Sequence, residues 1–285
     1  ADAIGSLLSS AGIDPAELVA VGLGTPGTMD IPAGMILEPP NLPAWRHFPV
    51  RDALSAACQC PVAYANDAAA AAYGEYWIGT GQQYNSMVLL TLGTGVGGGI
   101  ILGDLLLDGE NSHGSECGHV IIESGPAARI CSCGQPGHLE AYASATAVVK
   151  RTHEALETDP SSQLNERLRD GQELTTLMLY EEAVQGDSLA HRIVMETADY
   201  LALGILTLVH TIDPAIVVLG GAMNFGGSET ALGQEFLERI RSRFKEHTFP
   251  VLAERTVIDF AGLGSAAGYI GAAGIGRLMY KKSCG

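Results

Sequence analysis

Val88-Leu-Leu-Thr91-Leu-Gly93-Thr94-Gly95-Val-Gly-Gly-Gly99-Ile-Ile-Leu102 decides the fold, because it admits three readings and its context removes two. The apolar run from Met87 to Leu107 has the length of a membrane span, but five glycines between Gly93 and Gly99, with Asp104 beyond them, interrupt it. Gly93-Thr-Gly95-Val-Gly-Gly98 matches the dinucleotide fingerprint G-x-G-x-x-G, yet the β-rich Ile100-Ile101-Leu102 stands where that motif requires a helix. No Walker A sequence occurs in the chain. What remains is a pair of strands, 88–92 and 99–102, joined by a glycine turn. Its backbone amides and the Thr94 hydroxyl can approach phosphate oxygens without help from a lysine. A glycine-rich hairpin that serves packing alone is the competing reading. Gly22-Leu-Gly24-Thr-Pro-Gly27 fits the same fingerprint after a strand, but Pro26 and Asp30-Ile-Pro32 open no helix there either.

Outward from that turn, strands and helices alternate. Asp14-Pro15-Ala16-Glu17 predicts a helix start with an N-cap, a proline at the first helical position and a capping glutamate, followed by a strand over 18–23. A short strand over 61–65 ends at Asn66-Asp67, just before an alanine-rich helix over 68–77. Carboxylates at such strand ends often face a cleft. Another strand is expected over 120–123. Leu189, Ile193, Leu201, Ile205, Leu208 and Ile212 recur at three- and four-residue spacings, which predicts a long buried helix ending at Asp213-Pro214. A strand over 216–219 leads into Gly220-Gly221-Ala222, a second place where a nucleotide can come close. Helices over 232–244 and 265–279 flank a strand over 256–260. The pattern predicts a mixed α/β architecture of two lobes, with binding residues on the connecting loops.

The chain has 285 residues and 47% hydrophobic content, enough for a substantial core in one or two domains. Its formal charge of −16 argues against a general nucleic-acid or anionic-membrane binder, because phosphate backbones select clustered Lys and Arg. A phosphorylated ligand must therefore be held by local donors. Six cysteines in a chain of this size make no disulfide scaffold, and the reduced compartment this implies is the cytoplasm.

Chemistry concentrates between Glu116-Cys-Gly-His119 and Cys131-Ser-Cys133-Gly-Gln-Pro-Gly-His138-Leu-Glu140. His119, Cys131, Cys133 and His138 offer two thiolates and two imidazoles, a donor set for tetrahedral Zn2+ that closes a loop without activating water. Unligated thiols and imidazoles are the bland alternative, and Cys117 competes as a ligand on paper. Glu116 and Glu140 flank the cluster, where carboxylates can accept hydrogen bonds from several sugar hydroxyls; ordinary surface solvation is the alternative. Asn41 and Asn66 have donors and acceptors suited to polyols, or simply cap turns. Trp45 reads as packing.

As an ordered set, Gly24-Thr-Pro-Gly27, Asn41-Leu-Pro-Ala-Trp45, Asn66-Asp67, Thr91 to Gly99, Glu116 to His119, Cys131 to Glu140 and Gly220-Gly221-Ala222 resemble the ROK family of sugar kinases and sugar-responsive repressors, above all its bacterial glucokinases. The resemblance implies an actin-like ATPase (ribonuclease H-like) fold with sugar between two lobes: a small α/β lobe over 1–66, rejoined by the C-terminal helix 265–285, and a large lobe over 67–264. It implies an ATP-dependent hexose kinase, most simply a glucokinase acting on the sugar 6-hydroxyl, with Mg2+ and a structural Zn2+. By position, Asp67 matches the catalytic base, and Gly27, Asn41, Asn66, Glu116, His119 and Glu140 match sugar contacts. Thr94, Gly95 and Gly221 match nucleotide-side loops. A homodimer is the family expectation. His138 stands where the family commonly has a third cysteine, and the family's Asp-x-Gly-Gly-Thr strand is expected ahead of Ala1. The alternatives are a sugar-responsive regulator and a sugar-binding relative with impaired catalysis.

Overall fold

The computed structural model describes residues 1–39 and 42–284. In chain order its first elements are α1 (Asp2–Ala11), β1 (Val21–Thr25), β2 (Thr28–Asp30), β3 (Met35–Glu38), α2 (Val50–Cys58), β4 (Val62–Asn66) and α3 (Asp67–Ile78). There follow β5 (Ser86–Leu92), β6 (Val96–Leu102), β7 (Leu105–Leu106), α4 (Glu140–Ala143), α5 (Ala145–Leu156), α6 (Leu164–Arg169) and α7 (Thr176–Val184). The chain closes with α8 (Ser188–Ile212), β8 (Ile216–Gly220), α9 (Ala231–His247), α10 (Pro250–Arg255), β9 (Val257–Phe260) and α11 (Ala267–Cys284). Contacts divide it into two units, one made of 1–83, 99–115 and 262–285 and the other of 84–98 and 116–261. This division groups α3 and the 99–115 segment with the N-terminal residues, a boundary drawn differently from the sequence-based one, because α3 packs along α11 and beside β1 and β4.

In the first unit β1 and β4 run parallel, with Val21 opposite Val62 and Thr25 opposite Asn66. Their carboxyl ends therefore arrive together, and a buried hydrogen bond of 2.8 Å between Thr25 Oγ1 and Tyr64 Oη ties them. Met29, Ile36, Val50 and Tyr64 form a small core under the β2–β3 hairpin. Small residues set the distance between α3 and α11. A Cβ on Gly271 would lie 1.6 Å from the Ala70 carbonyl oxygen, and one on Gly74 would lie 2.4 Å from that of Ala267. Strong hydrophobic periodicity is therefore unnecessary on α3, whose Ala68, Ala69, Ala70 and Ala72 are all buried. The sequence-predicted capping box is present, with Asp14 accepting from Ala16 N–H and Glu17 from Asp14 N–H. It opens only a single 3₁₀ turn, Pro15–Glu17, and the strand begins at Val21, later than expected.

In the second unit β5, β8 and β9 form a parallel sheet, Met87 opposite Ile216 and Ile216 opposite Val257. β8 is buried at every position, as expected for a strand covered on both faces. Asp187 caps α8 by accepting from Ala190 N–H, and Asp213, left-handed at φ 53°, ends it before Pro214. Leu189, Ile193, Leu201, Ile205 and Leu208 are buried along it, so the sequence periodicity marks a core stripe. α8 is the one described helix long and apolar enough to cross a membrane by length and composition, and more than half of that window is buried within the protein. One expected element is corrected: 120–123 is not a strand. Only Ile121 forms a bridge, to His138, and Ile122 and Glu123 both donate to the Gly137 carbonyl. The apolar residues there lace the metal-type loop to its neighbour instead of joining a sheet.

Candidate active site

At the carboxyl end of β4 the chain turns directly into α3, so Asn66 is the N-cap and Asp67 the first helical residue. Asn66 Oδ1 accepts from Ala68 N–H at 2.9 Å and Ala69 N–H at 3.3 Å. The cap thus consumes its acceptor and leaves Nδ2 to donate elsewhere. Asp67 is exposed and spends Oδ1 on Ala68 N–H at 2.8 Å, so Oδ2 is the oxygen with lone pairs to offer. Gly27, at φ 86° between β1 and β2, is backed against Pro39. Asn41 lies outside the described residues.

The turn between β5 and β6 closes with Gly93 N–H donating to the Gly95 carbonyl at 3.0 Å. Three residues that follow the metal-type loop hold it. Glu140 Oε2 accepts from Val96 N–H at 3.0 Å, Ala145 N–H donates to the Gly93 carbonyl at 2.8 Å, and Thr146 Oγ1 donates to the Thr94 carbonyl at 2.9 Å. A Cβ on Gly95 would lie 2.4 Å from Glu140 Oε2, so a side chain there would displace this carboxylate from the turn. Thr94 itself is exposed, its hydroxyl available to a ligand. Gly221, left-handed at φ 94°, presses on the backbone of Leu92 at the end of β5, where a side chain would collide with the Leu92 carbonyl. Thr94, Gly95 and Gly221 thus sit around one end of β5.

His119, Cys131, Cys133 and His138 bring their donor atoms within 4.8 Å of one another. His119 Nδ1 lies 3.1 Å from His138 Nδ1 and 3.8 Å from Cys131 Sγ, and Cys133 Sγ lies 3.3 Å from His138 Nδ1. The edges of a tetrahedron around zinc with such ligands measure about 3.3–3.8 Å, so these three separations are close to those the metal needs. His119 turns its other nitrogen, Nε2, to the side of Glu116, whose Oε2 lies 3.8 Å away, beyond hydrogen-bond distance, so that the Nε2 proton stays available to a ligand. Burial and the neighbouring His119 ring both push the His138 pKa down, which favours its neutral, ligating form. Burial pushes Cys131 up to about 11, so metal uptake displaces a proton there. Cys117 is buried outside the cluster, and burial, reinforced by Glu116, pushes it up to about 12; it stays a thiol. Gly137 N–H donates to the Arg129 carbonyl, and Arg129 pairs with Glu154 on α5, bracing the loop's base.

Two structural features near these elements carried no signal in sequence. Glu75, one turn from the end of α3, is fully buried and accepts from Thr80, Gly262 and Leu263 N–H. Ser132, between the two cysteines, donates to Glu140 Oε1 at 2.5 Å.

This chain is 35% identical over 272 residues to a glucokinase of Halalkalibacterium halodurans, covering 95% of this chain and 80% of that protein. Among solved structures it is similar to a ROK hexokinase from Thermus thermophilus, at 33% identity, TM-score 0.81 and 96% and 83% coverage of the two chains. It is also similar to a ROK family glucokinase from Streptomyces griseus in complex with glucose and AMPPNP, at 32% identity, TM-score 0.78 and 97% and 87% coverage. The α/β architecture is thus that of the actin-like ATPases. The ROK family profile matches residues 1–277, and the chain belongs to the ROK family.

Proposed function

We propose that the protein transfers the γ-phosphoryl group of ATP to the 6-hydroxyl of a hexose, with glucose as the first candidate substrate. The observation that carries this reading is Asn66-Asp67 at the mouth of α3, an exposed carboxylate with one uncommitted oxygen, in a ROK chain that spans most of the length of bacterial glucokinases. Asp67 Oδ2 accepts the hydroxyl proton as the sugar oxygen attacks phosphorus in line; the new O–P bond forms while the bond to the β-phosphate oxygen breaks and ADP leaves. Mg2+ bound with the nucleotide would neutralise charge on the phosphates. Gly27, Asn41, Asn66, Glu116, His119 and Glu140 orient the sugar, with His119 Nε2 and Asn66 Nδ2 as donors and the two carboxylates as acceptors. The Thr94 hydroxyl, the Gly95 amide and the Gly221 loop receive the nucleotide.

His119 Nδ1, Cys131, Cys133 and His138 would hold Zn2+ through four protein donors, which leaves no open position for water, so the metal shapes the loop and fixes His119. Six free cysteines suit a reducing, cytoplasmic setting, and a homodimer is the assembly we expect. The test is ADP release by the purified protein with glucose, mannose, fructose and N-acetylated hexosamines. Glucose-dependent turnover is the expected result, and no turnover with any sugar would return the regulator to the front.

A further inference from the structure

Glu140 touches two things at once in the second unit. Its Oε2 takes the Val96 amide of the β5–β6 turn, and its Oε1 faces the metal-type loop, with Ser132 Oγ at 2.5 Å and Cys131 Sγ at 3.5 Å. These two loop donors are not equivalent. When Cys131 ligates a metal it is a thiolate and has no proton to give, which leaves the Ser132 hydroxyl as the loop's donor to this carboxylate. The approach is tight on the other side as well, since Gly95 leaves room for Oε2 that any Cβ would fill. Glu140 also opens α4, and the α4–α5 junction just beyond it supplies the other two anchors of the turn, Ala145 and Thr146. The carboxylate is therefore the one described side chain that bonds both the cysteine loop and the turn, and its rotation decides whether Val96 N–H is held.

We propose that Ser132 is a positioning residue for the nucleotide: by fixing the rotation of Glu140 it sets the 93–96 turn, so that the geometry of the metal loop is transmitted to the phosphate end of ATP. The nucleotide half of this statement rests on the kinase reading; the Ser132–Glu140–Val96 clamp does not. In the zinc-loaded protein, Ser132→Ala should keep its full zinc content. It should speed hydrogen exchange at the Val96 amide by about tenfold, because a bond to an ionised acceptor is loosened. Binding of the ATP analogue AMPPNP without sugar should weaken by about five-fold as the turn loses preorganisation. Ser132→Thr, which keeps a hydroxyl, should restore both. Exchange and AMPPNP affinity unchanged within a factor of about two would overturn the proposal. So would loss of zinc, which would make Ser132 a support of the metal site instead. If Ser132→Ala does not fold, Gly95→Ala approaches the same carboxylate from the turn side and should speed Val96 exchange equally; unchanged exchange there also overturns it. Exchange is read without ligand, so a parent protein that binds no AMPPNP defeats the kinase reading and leaves the clamp to be judged on Val96 alone.

Discussion

Glu75→Gln should be among the most costly isosteric changes in the protein. The Glu75 side chain is fully buried, and Oε2 accepts from Thr80 N–H at 3.0 Å and Gly262 N–H at 3.1 Å while Oε1 accepts from Leu263 N–H at 2.7 Å. A buried carboxylate is tolerable only because these three amides replace its water. Glutamine keeps one acceptor oxygen and puts an NH₂ where the other stood, so at least one backbone amide faces a donor. With a bond to a charged acceptor worth about 1.5–3 kcal/mol, and an orphaned donor adding its own desolvation cost, the loss is about 3 kcal/mol. For a chain of this size that lowers Tm by about 6–12 °C. The functional link is α3 itself: Asp67 opens this helix, while Glu75 fastens its other end to the root of α11. Differential scanning calorimetry of Glu75→Gln beside the parent measures the effect. A Tm within about 2 °C of the parent would refute the reasoning, because it would mean that the three amides find other partners at no cost.

Two further changes test the packing of each unit. Gly271→Ala drives a methyl into the Ala70 carbonyl and must push α11 off α3; a loss of about 3 kcal/mol in urea unfolding is expected, and a neutral result would contradict the close helix approach. Glu154→Gln removes the partner of Arg129. The hydrogen bond from Arg129 holds the Glu154 carboxyl below its ordinary value of 4.5, so its stabilisation is present above that pH and is lost as pH falls through the lower folded value. The pair is partly exposed, which limits the cost at pH 7 to about 0.5 kcal/mol, and parent and variant should converge in stability once the pH has fallen through that lowered value.

Much of the fold was legible because it rests on local patterns. The glycine turn between 88–92 and 99–102, the stripe of α8 and the Asn66-Asp67 helix entrance each carry their signal within a few residues. The cysteine–histidine cluster was legible from residue type, since few other purposes gather those side chains. What escaped depends on partners far away in sequence. Glu75 in a helix reads as a solvated charge until the 262–263 amides arrive 187 and 188 positions later. Residues 120–123 have strand composition, but their hydrogen bonds go to Gly137 and Leu139, so they lace a loop. Glu140 was expected to face sugar, from its place beside the cluster and from the resemblance; its bond to Val96, across 44 positions, follows from the fold.

The central claim is that Asp67 takes the proton of the attacking hydroxyl, and Asp67→Asn measures it most directly. The substitution preserves shape and keeps an oxygen that can accept from Ala68 N–H, so glucose binding by calorimetry should stay close to the parent's. Glucose- and ATP-dependent kcat should fall by about 10²–10⁴-fold. Near-normal phosphorylation with glucose binding retained would contradict the account and move the base elsewhere.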